Sequence, residues 1–457
     1  MTIPAAEGVA EARAPAHRHH AGVFLWPLPA GGWIAVAGVA LLYGAHWLYG
    51  AQSTPWVMLL NIGAALLVGA LLLAPRVRAE LARLRGLAVP AALFAATVAI
   101  ALLTLTPWVP GGPHPVWAFV GQAPGASTVD KSSTAVEIVR LLGLACLFVI
   151  GLATGARDER ARYAVRLTLA AGVAFGLWAF FGAVTGQIYQ SQGRRLEAHF
   201  LSPNTAATLF GMLLTLAVAE ALMTLRTRGG RRDPVRLAAP SLAILVFATC
   251  LLDTASRGGA LAFLGAMAVF LGLQLWTGRL RLTRGVLAGL GGLAVVAVLI
   301  LLAGERLLDR VFQSHEAALV RTSMWRAHWS AFLDSPLLGY GLGAFDTVNK
   351  LIMDAGNLDA LWDIHSVHNV YLQWLEEAGI LGSAPMFACL GALMLLTLRG
   401  LLRRSRMTAL LSALLAADVL VLLHGTTDVG LQVPSLAGFW AWLLGLQVSL
   451  AQGSSRR

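Results

Sequence analysis

The stretch RTSMWRAHWSAFLDSPLLGYGLGAF (Arg321–Phe345), followed by HSVHNVYLQWLEEAGILG (His365–Gly382), interrupts an otherwise hydrophobic chain. Between about residues 305 and 379 the long apolar runs stop, and arginine, histidine and tryptophan side chains concentrate. Apolar runs long enough to cross a bilayer flank this segment on both sides. A polar insert with ionisable groups between membrane spans is where chemistry at a membrane surface is expected.

The composition around this insert is that of a polytopic membrane protein. Of 457 residues, 57% are hydrophobic and 12% are charged, and the mean hydropathy is +0.71. Because a span needs roughly 20 apolar residues, the chain has about twelve candidate spans. These runs are 32–50, 56–75, 87–108, 135–155, 163–186, 203–224, 237–252, 259–277, 285–303, 381–398, 408–424 and 434–451. We therefore expect an all-α polytopic fold with a helical insert between spans 9 and 10.

The net charge of +11 comes largely from arginines in every second loop, such as 76–85, 157–162, 226–236, 279–284 and 399–406. The positive-inside rule predicts that these loops and both termini are cytoplasmic. It predicts that the insert, with loops 109–134, 187–202, 253–258 and 425–433, lies on the opposite side. Loop arginines that set topology give no reason to expect a nucleic acid partner.

The expected organisation has five parts. These are a cytoplasmic polar tail (1–30), spans 1 to 9 (31–303), the insert (304–380), spans 10 to 12 (381–451) and a second cytoplasmic tail (452–457). The first part is polar and leads into a full-length span, which is unlike a cleaved signal peptide.

The three cysteines, Cys146, Cys250 and Cys389, all fall in predicted spans. Their spacing forms neither a disulfide framework nor a metal motif, so we expect small buried apolar side chains.

The insert shows two helical periodicities, one near Val320–Phe332 and one near Val367–Ala378, with a glycine-rich loop between them. Two amphipathic helices with tryptophans suit a lid on the membrane surface. The alternative is that the helices pack only on each other.

Several arginines are expected on the side of the insert, and they are candidate ligands for a diphosphate group. They are Arg257, Arg321 and, with weaker indications, Arg326 and Arg195. A guanidinium binds phosphate oxygens through a planar fork of donors and keeps its charge. The alternatives are interfacial snorkelling for Arg257 and simple solvation of a helix face for Arg321 and Arg326.

His365 and His368 are expected on the second insert helix, where their spacing of three residues places both on one face. A histidine can accept a proton at neutral pH, so His368 is a candidate base, and His365 is a weaker one. The alternatives to a catalytic role are a metal half-site, a helix cap or a surface position. In the sequence, no nearby Asp, Glu or Cys cluster completes a metal site. In the spans, Glu137 and Arg140 are expected to form an ion pair, and Asp418 is expected to face a polar interior.

The chain resembles the bacterial O-antigen ligase and polysaccharide polymerase superfamily. The resemblance is carried by HFLSPNTAATLFG (His199–Gly211), TASRGGALA (Thr254–Ala262) and the two insert stretches, in that order and spacing. It covers roughly residues 195–382.

The resemblance implies a glycosyltransferase of the bacterial inner membrane with its active site facing the periplasm. Such an enzyme takes a glycan from undecaprenyl diphosphate and transfers it to an acceptor hydroxyl, without a cofactor and, in the ligases, without a metal. Carried over residue by residue, His368 is the base, and Arg257 and Arg321 hold the diphosphate. No carboxylate is placed convincingly as a nucleophile, with Asp428 the nearest candidate, so a direct displacement with inversion is expected.

Three functions remain open at this level. A ligase uses lipid A–core as the acceptor, whereas a polymerase extends undecaprenyl-linked repeats. The third candidate function, from a different class of protein, is a 12-span transporter or flippase. Transporter sites usually lie near the bilayer midplane, whereas the ionisable groups of this chain gather in the predicted outer loops.

Overall fold

A computed structural model describes residues 28–122, 124–188, 195–226, 234–280 and 307–453. These residues form sixteen α-helices and two short 3-10 helices, at Tyr49–Ala51 and Gly430–Gln432, and they contain no β-strand. The α-helices are α1 (Gly32–Trp47), α2 (Thr54–Leu73), α3 (Pro75–Leu81), α4 (Ala88–Thr104), α5 (Val116–Phe119), α6 (Lys131–Gly155), α7 (Asp158–Val184), α8 (Pro203–Arg226), α9 (Pro234–Asp253), α10 (Arg257–Trp276), α11 (Leu307–Asp334), α12 (Phe345–Ile352), α13 (Leu358–Leu361), α14 (Val370–Arg403), α15 (Thr408–His424) and α16 (Pro434–Ala451).

Eight of these helices are long and apolar enough to cross a membrane, and α1, α4 and α15 are apolar but shorter. Together they coincide with every predicted span except 285–303, which lies outside the described residues. Most of the predicted tails, residues 1–27 and 454–457, also lies outside them. The prediction of an all-helical polytopic membrane protein is thus confirmed for the described part of the chain, whereas the total of about twelve spans stays a prediction.

The helices α8, α15 and α16 form the centre of the bundle and are buried along most of their length. The helix α16 packs closely against α6 because glycines line the contact. A Cβ added at Gly151 or Gly155 of α6 would collide with the carbonyl of Trp442 or Leu446, respectively. Small residues four apart allow two helix backbones to approach in this way.

The described basic loops lie at one end of the bundle, where contacts join them. Glu80 accepts hydrogen bonds from Arg157 at 2.6 Å and from Arg160 at 2.7 Å. Arg279 donates to the carbonyl of Arg404 at 3.4 Å. Loops that the charge pattern assigns to one side of a membrane are therefore neighbours in space.

The insert is joined to the bundle through a break in α14. The helix backbone departs from helical geometry at Gly379, where φ is +58°. Just before the break, the carbonyls of Glu376 and Glu377 accept hydrogen bonds from the amides of Tyr340 at 3.0 Å and Gly341 at 2.8 Å. The glycine-rich loop between α11 and α12 therefore satisfies backbone groups that the break leaves open.

The ionisable groups inside the spans have polar partners. Arg140 and Glu137 form the predicted ion pair at 3.2 Å. Asp418 accepts hydrogen bonds from the side chains of Trp440 at 2.8 Å and Gln447 at 2.7 Å. The prediction that Asp418 faces a polar interior is therefore confirmed.

The three cysteines are free thiols, as expected from their spacing. Cys250 and Cys389 are buried, and Cys146 is half-buried.

Candidate active site

Polar side chains from three distant segments meet at the end of the bundle opposite the basic loops. Ser256 caps α10 by accepting a hydrogen bond from the amide of Gly259 at 3.2 Å. The Ser256 hydroxyl donates to Oδ1 of Asn204, near the start of α8, at 2.8 Å. The Asn204 amide in turn donates to Oδ1 of Asp428, in the loop before α16, at 3.2 Å. One asparagine therefore links the Ser-Arg-Gly segment to the last loop.

His424, the last residue of α15, extends this arrangement. Its Nδ1 lies 2.7 Å from Oγ1 of Thr208, one turn along α8 from Asn204. A Cβ at Gly258 would lie only 3.2 Å from the His424 ring, so the backbone of α10 approaches the imidazole closely. A small cavity lies beside Thr208, His424 and Asp428. Asn204, Thr208, Ser256, His424 and Asp428 are called the Asn204–Asp428 network below.

His368 faces this network from the insert. Its Nδ1 lies 3.9 Å from Oδ1 of Asp428, and 40% of its side chain is exposed. Its backbone adopts a left-handed conformation, with φ at +52°. Such a conformation in a residue other than glycine costs energy and is found disproportionately at functional sites. His368 thus combines access to solvent with a carboxylate neighbour on one ring nitrogen.

The predicted helix carrying both insert histidines is wrong. The helix α14 begins at Val370, because the Asn369 side chain caps it by accepting hydrogen bonds from the amides of Tyr371 and Leu372. An N-cap residue has non-helical geometry, so the residues before it lie in a loop. The histidines therefore do not share a helix face.

His365 contacts other carboxylates than Asp428, the neighbour of His368. Its Nδ1 lies 3.2 Å from Oδ1 of Asp346 and its Nε2 lies 3.9 Å from Oδ1 of Asp363. Its side chain is 78% exposed. The structure therefore does not bring His365 to the Asn204–Asp428 network.

Arg195 joins the network directly. Its Nε donates to the carbonyl of Thr254 at 2.9 Å, and its Nη2 donates to Oδ1 of Asn204 at 3.4 Å. Arg195 therefore fixes the segment before α8 against the segment before α10.

Arg257 is the first residue of α10, and its side chain is exposed. Backbone N–H groups in the first turn of a helix lack intrahelical partners and favour an anion. The residue before Ser256, Ala255, has a left-handed backbone with φ at +48°. Arg257 thus stands at a helix N-terminus that adjoins Ser256 of the network.

Arg321 and Arg326 are exposed on α11. Between them, Trp325 donates from Nε1 to the carbonyl of Val367 at 2.8 Å, next to His368. Arg321 lies one helical turn before Trp325, on the same side of α11. Neither arginine hydrogen-bonds to the Asn204–Asp428 network in the described part of the chain.

The electrostatics of the site centre on Asp428, whose side chain is only 3% exposed. Burial opposes its ionisation, but the neighbouring rings of His368 and His424 and the Asn204 amide outweigh it. These groups hold the pKa of Asp428 below its usual range. Asp428 is therefore a carboxylate at neutral pH and provides a fixed negative charge beside His368.

Sequence reasoning missed most of this network. Asn204 and Ser256 lie within the recognised motif segments but were given no role. The sequence motifs do not include His424, and they bring in Asp428 only as a candidate nucleophile. The available signal was that Ser256 and Asp428 fall in loops predicted on one side, and that Asn204 and His424 lie at the adjoining ends of predicted spans. No pattern in the sequence indicates which of these groups touch.

The described residues contain no group of three His, Cys, Asp or Glu side chains placed to hold one metal ion.

Comparisons with known proteins bear on the same segments. Residues 242–387 match the family model described as O-Antigen ligase. The matched range includes Arg257, Arg321 and His368, and it ends before His424 and Asp428. No curated protein matches the chain. The family match confirms the similarity to the O-antigen ligase and polymerase superfamily that the sequence motifs predict.

Proposed function

We propose that the chain is a lipid-diphosphate-dependent glycosyltransferase of the O-antigen ligase type. It transfers a glycan from undecaprenyl diphosphate to a hydroxyl group of lipid A–core at the periplasmic face of the bacterial inner membrane. The observation that carries the proposal is the meeting of His368, Asp428 and the Ser256–Arg257 segment at one end of a helical bundle. The O-antigen ligase match over residues 242–387 supports the class of reaction.

His368 acts as the base in this proposal. Its Nδ1 faces Asp428, which favours the tautomer with a proton on Nδ1 and leaves Nε2 as the acceptor. The 3.9 Å separation is longer than a hydrogen bond, and such contacts commonly tighten when substrate binds. The acceptor hydroxyl transfers its proton to Nε2 as its oxygen attacks the anomeric carbon. The negative charge of Asp428 stabilises the imidazolium that forms.

The diphosphate leaves with the electron pair of the bond to the anomeric carbon. Arg257 and the first-turn amides of α10 provide positive charge at that point. Arg321 is the second proposed ligand of the diphosphate, one helical turn before Trp325, whose ring nitrogen donates to the loop of His368. Arg195 supports this site by holding Asn204 and the carbonyl of Thr254 in place.

A direct displacement fits the burial of the nearest carboxylate. Asp428 is 3% exposed and is held by Asn204 and by the amide of Gly430 at 3.0 Å. A covalent mechanism would need this carboxylate to reach the anomeric carbon. The proposed reaction therefore proceeds in one step and inverts the anomeric configuration. Its independence of a metal ion is proposed from the resemblance to the ligases alone.

The test is a transfer assay in proteoliposomes with an undecaprenyl-diphosphate-linked glycan as donor and a chelator present. Wild type is compared with His368→Ala, Arg257→Ala and Arg321→Ala, and His365→Ala is the matched histidine control. Each protein is offered lipid A–core, or additional lipid-linked glycan, as acceptor. The anomeric configuration of the product is read by NMR.

Product on lipid A–core that is lost in the three variants and retained in His365→Ala supports the ligase. A ladder of longer lipid-linked chains identifies a polymerase instead. Absence of transfer to either acceptor, with every variant folded, overturns the enzyme proposal and favours a transporter.

A further inference from the structure

An aromatic cluster lies at the same end of the bundle as the candidate active site. The His199 ring stacks on Tyr49, with centroids 4.4 Å apart and planes inclined by 8°. Trp178 meets the His199 ring edge-on at 4.6 Å, and Trp47 meets Trp178 edge-on at 5.9 Å. Tyr49 is 51% exposed, so its ring is stacked on one side and open to solvent. These four residues are called the aromatic platform.

The backbone under the platform is unusually strained. Tyr49 and His199 have left-handed backbones, with φ at +54° and +65°. Three of their close sequence neighbours, Ala51, Ala198 and Leu201, also have positive φ. Such conformations cost of order 1–3 kcal/mol each and persist only where surrounding contacts enforce them. The two facing segments therefore hold their rings in place at an energetic cost.

Hydrogen bonds supply the contacts that enforce this geometry. The Gln52 amide donates to the carbonyls of Tyr49 at 3.1 Å and Phe200 at 2.9 Å, which joins the two segments. Nδ1 of His199 lies 3.3 Å from the carbonyl of Trp47. The orientation of the rings is therefore fixed before any ligand binds.

The platform is connected to the active site on two sides. His199 lies five residues before Asn204, so the two Cα atoms are at most about 18 Å apart. Gly50 packs against Val433, since a Cβ there would meet Cγ1 of Val433 at 2.5 Å. Val433 ends the loop that carries Asp428, and Arg140 donates to the carbonyl of Leu431 in that loop at 3.0 Å. The platform is thus continuous with the Asn204–Asp428 network.

We propose that the aromatic platform is a subsite that stacks a pyranose ring of the glycan, a few sugars away from the reacting anomeric carbon. This inference rests on the proposed glycosyltransferase function. One face of a pyranose presents C–H groups with a slight positive charge, and these pack on the negative face of an aromatic ring. The exposed face of Tyr49 and the neighbouring Trp178 offer such a surface.

Anchoring at the membrane interface also uses exposed tryptophans and tyrosines. An interfacial anchor, however, gains nothing from a stacked histidine or from strained backbone that fixes ring orientation. A recognition surface gains from both, because a rigid platform loses little entropy when a sugar binds. The geometry therefore favours the glycan over lipid.

The experiment measures binding and transfer in the full-length protein in phosphatidylcholine nanodiscs. The binding probe is the glycan released by mild acid from the undecaprenyl-diphosphate donor, followed by saturation-transfer NMR. The variants are Tyr49→Ala, Tyr49→Phe and Trp178→Ala. Trp108→Ala is the matched control, because Trp108 is 81% exposed and lies outside the platform. Transfer is measured with donor varied at saturating acceptor and with acceptor varied at saturating donor.

The expected result is about a tenfold loss of glycan affinity in Tyr49→Ala and Trp178→Ala, with binding retained in Tyr49→Phe and Trp108→Ala. A matching rise in KM for the donor, at unchanged kcat, assigns the sugar to the donor, and a rise in KM for the acceptor assigns it to the acceptor. If wild type and the alanine variants bind the glycan equally, the proposal that the aromatic platform is a sugar subsite is overturned, whatever the transfer activity. If wild type shows no transfer but still binds the glycan, and Tyr49→Ala weakens that binding, the proposed reaction is refuted and the proposed subsite is supported.

Discussion

Replacing Asp428 with asparagine removes the negative charge beside His368 and preserves the size of the side chain. In the structure Asp428 accepts hydrogen bonds from Asn204 at 3.2 Å and from the Gly430 amide at 3.0 Å. The asparagine carbonyl can keep the bond from Gly430. The variant then loses the hydrogen bond from the Asn204 amide and, as the larger effect, the charge that faces Nδ1 of His368 at 3.9 Å.

The size of the effect follows from this distance. At an effective dielectric constant of about 20, two unit charges 3.9 Å apart interact by about 4 kcal/mol. Because 40% of the His368 side chain is exposed, solvent screening reduces this to about 2 kcal/mol. In the proposed reaction the imidazolium forms as the acceptor proton is transferred, so the loss falls on the transition state. We expect kcat to fall about 30-fold.

The assay is glycan transfer in proteoliposomes at neutral pH, with the rate measured at saturating donor and acceptor. Asp346→Asn is the matched control, since Asp346 lies 3.2 Å from Nδ1 of His365, with both side chains exposed. We expect this control to keep wild-type kcat, because exposed pairs contribute little. Wild-type kcat in folded Asp428→Asn would refute the assignment of Asp428 as the positioning residue of His368.

Three further predictions follow from the described contacts. If Arg257 stabilises the diphosphate as proposed, Arg257→Ala should lower kcat about 100-fold by removing that charge stabilisation. Arg257→Lys should recover part of this loss in the same transfer assay, and equal rates for wild type and both variants would exclude the role. Gly155→Leu should lower the free energy of unfolding by about 3 kcal/mol, because any Cβ there meets the Leu446 carbonyl. The control is Gly69→Leu, which should leave the unfolding temperature nearly unchanged because nothing lies within 4 Å of a Cβ at Gly69. Asp130→Ala should cost about 1 kcal/mol, since Asp130 caps α6 by accepting from the Ser133 amide. Burial opposes ionisation of Asp130, but the Ser133 amide and the neighbouring hydroxyls outweigh it and hold its pKa below the ordinary 3.8; its stabilisation is therefore complete above pH 3.8 and lost as the pH falls through the lowered value. A difference in stability between wild type and Asp130→Ala that persists at still lower pH would contradict this cap.

The sequence predicted the helices well because a membrane span depends on local composition. A run of apolar residues must form a helix in lipid to satisfy its own backbone, whatever its neighbours are. The predicted spans 203–224 and 408–424 therefore coincide with α8 and α15 to within about two residues. The pair Glu137–Arg140 was equally predictable, since residues three apart on a helix are neighbours.

Helical spacing misled in one place. His365 and His368 have a spacing that fits a helix, but the Asn369 side chain accepts hydrogen bonds from the first amides of α14 and ends the loop there. The competing principle is N-capping, which was visible in the sequence as an asparagine ahead of an apolar run. Its consequence is that His368 faces Asp428 whereas His365 pairs with Asp346 in solvent.

The sequence by itself determined the helical membrane fold, the polar insert and the motif segments that resemble the O-antigen ligases, because each of these is written in short stretches of chain. Only the tertiary structure decided that Asn204 bridges Ser256 and Asp428, that Asp428 faces His368, and that the Tyr49 and His199 rings stack. The physical reason is that these contacts join residues from separate helices, and their geometry depends on how the whole bundle packs. Close packing through Gly151 and Gly155, and the break at Gly379, set those positions.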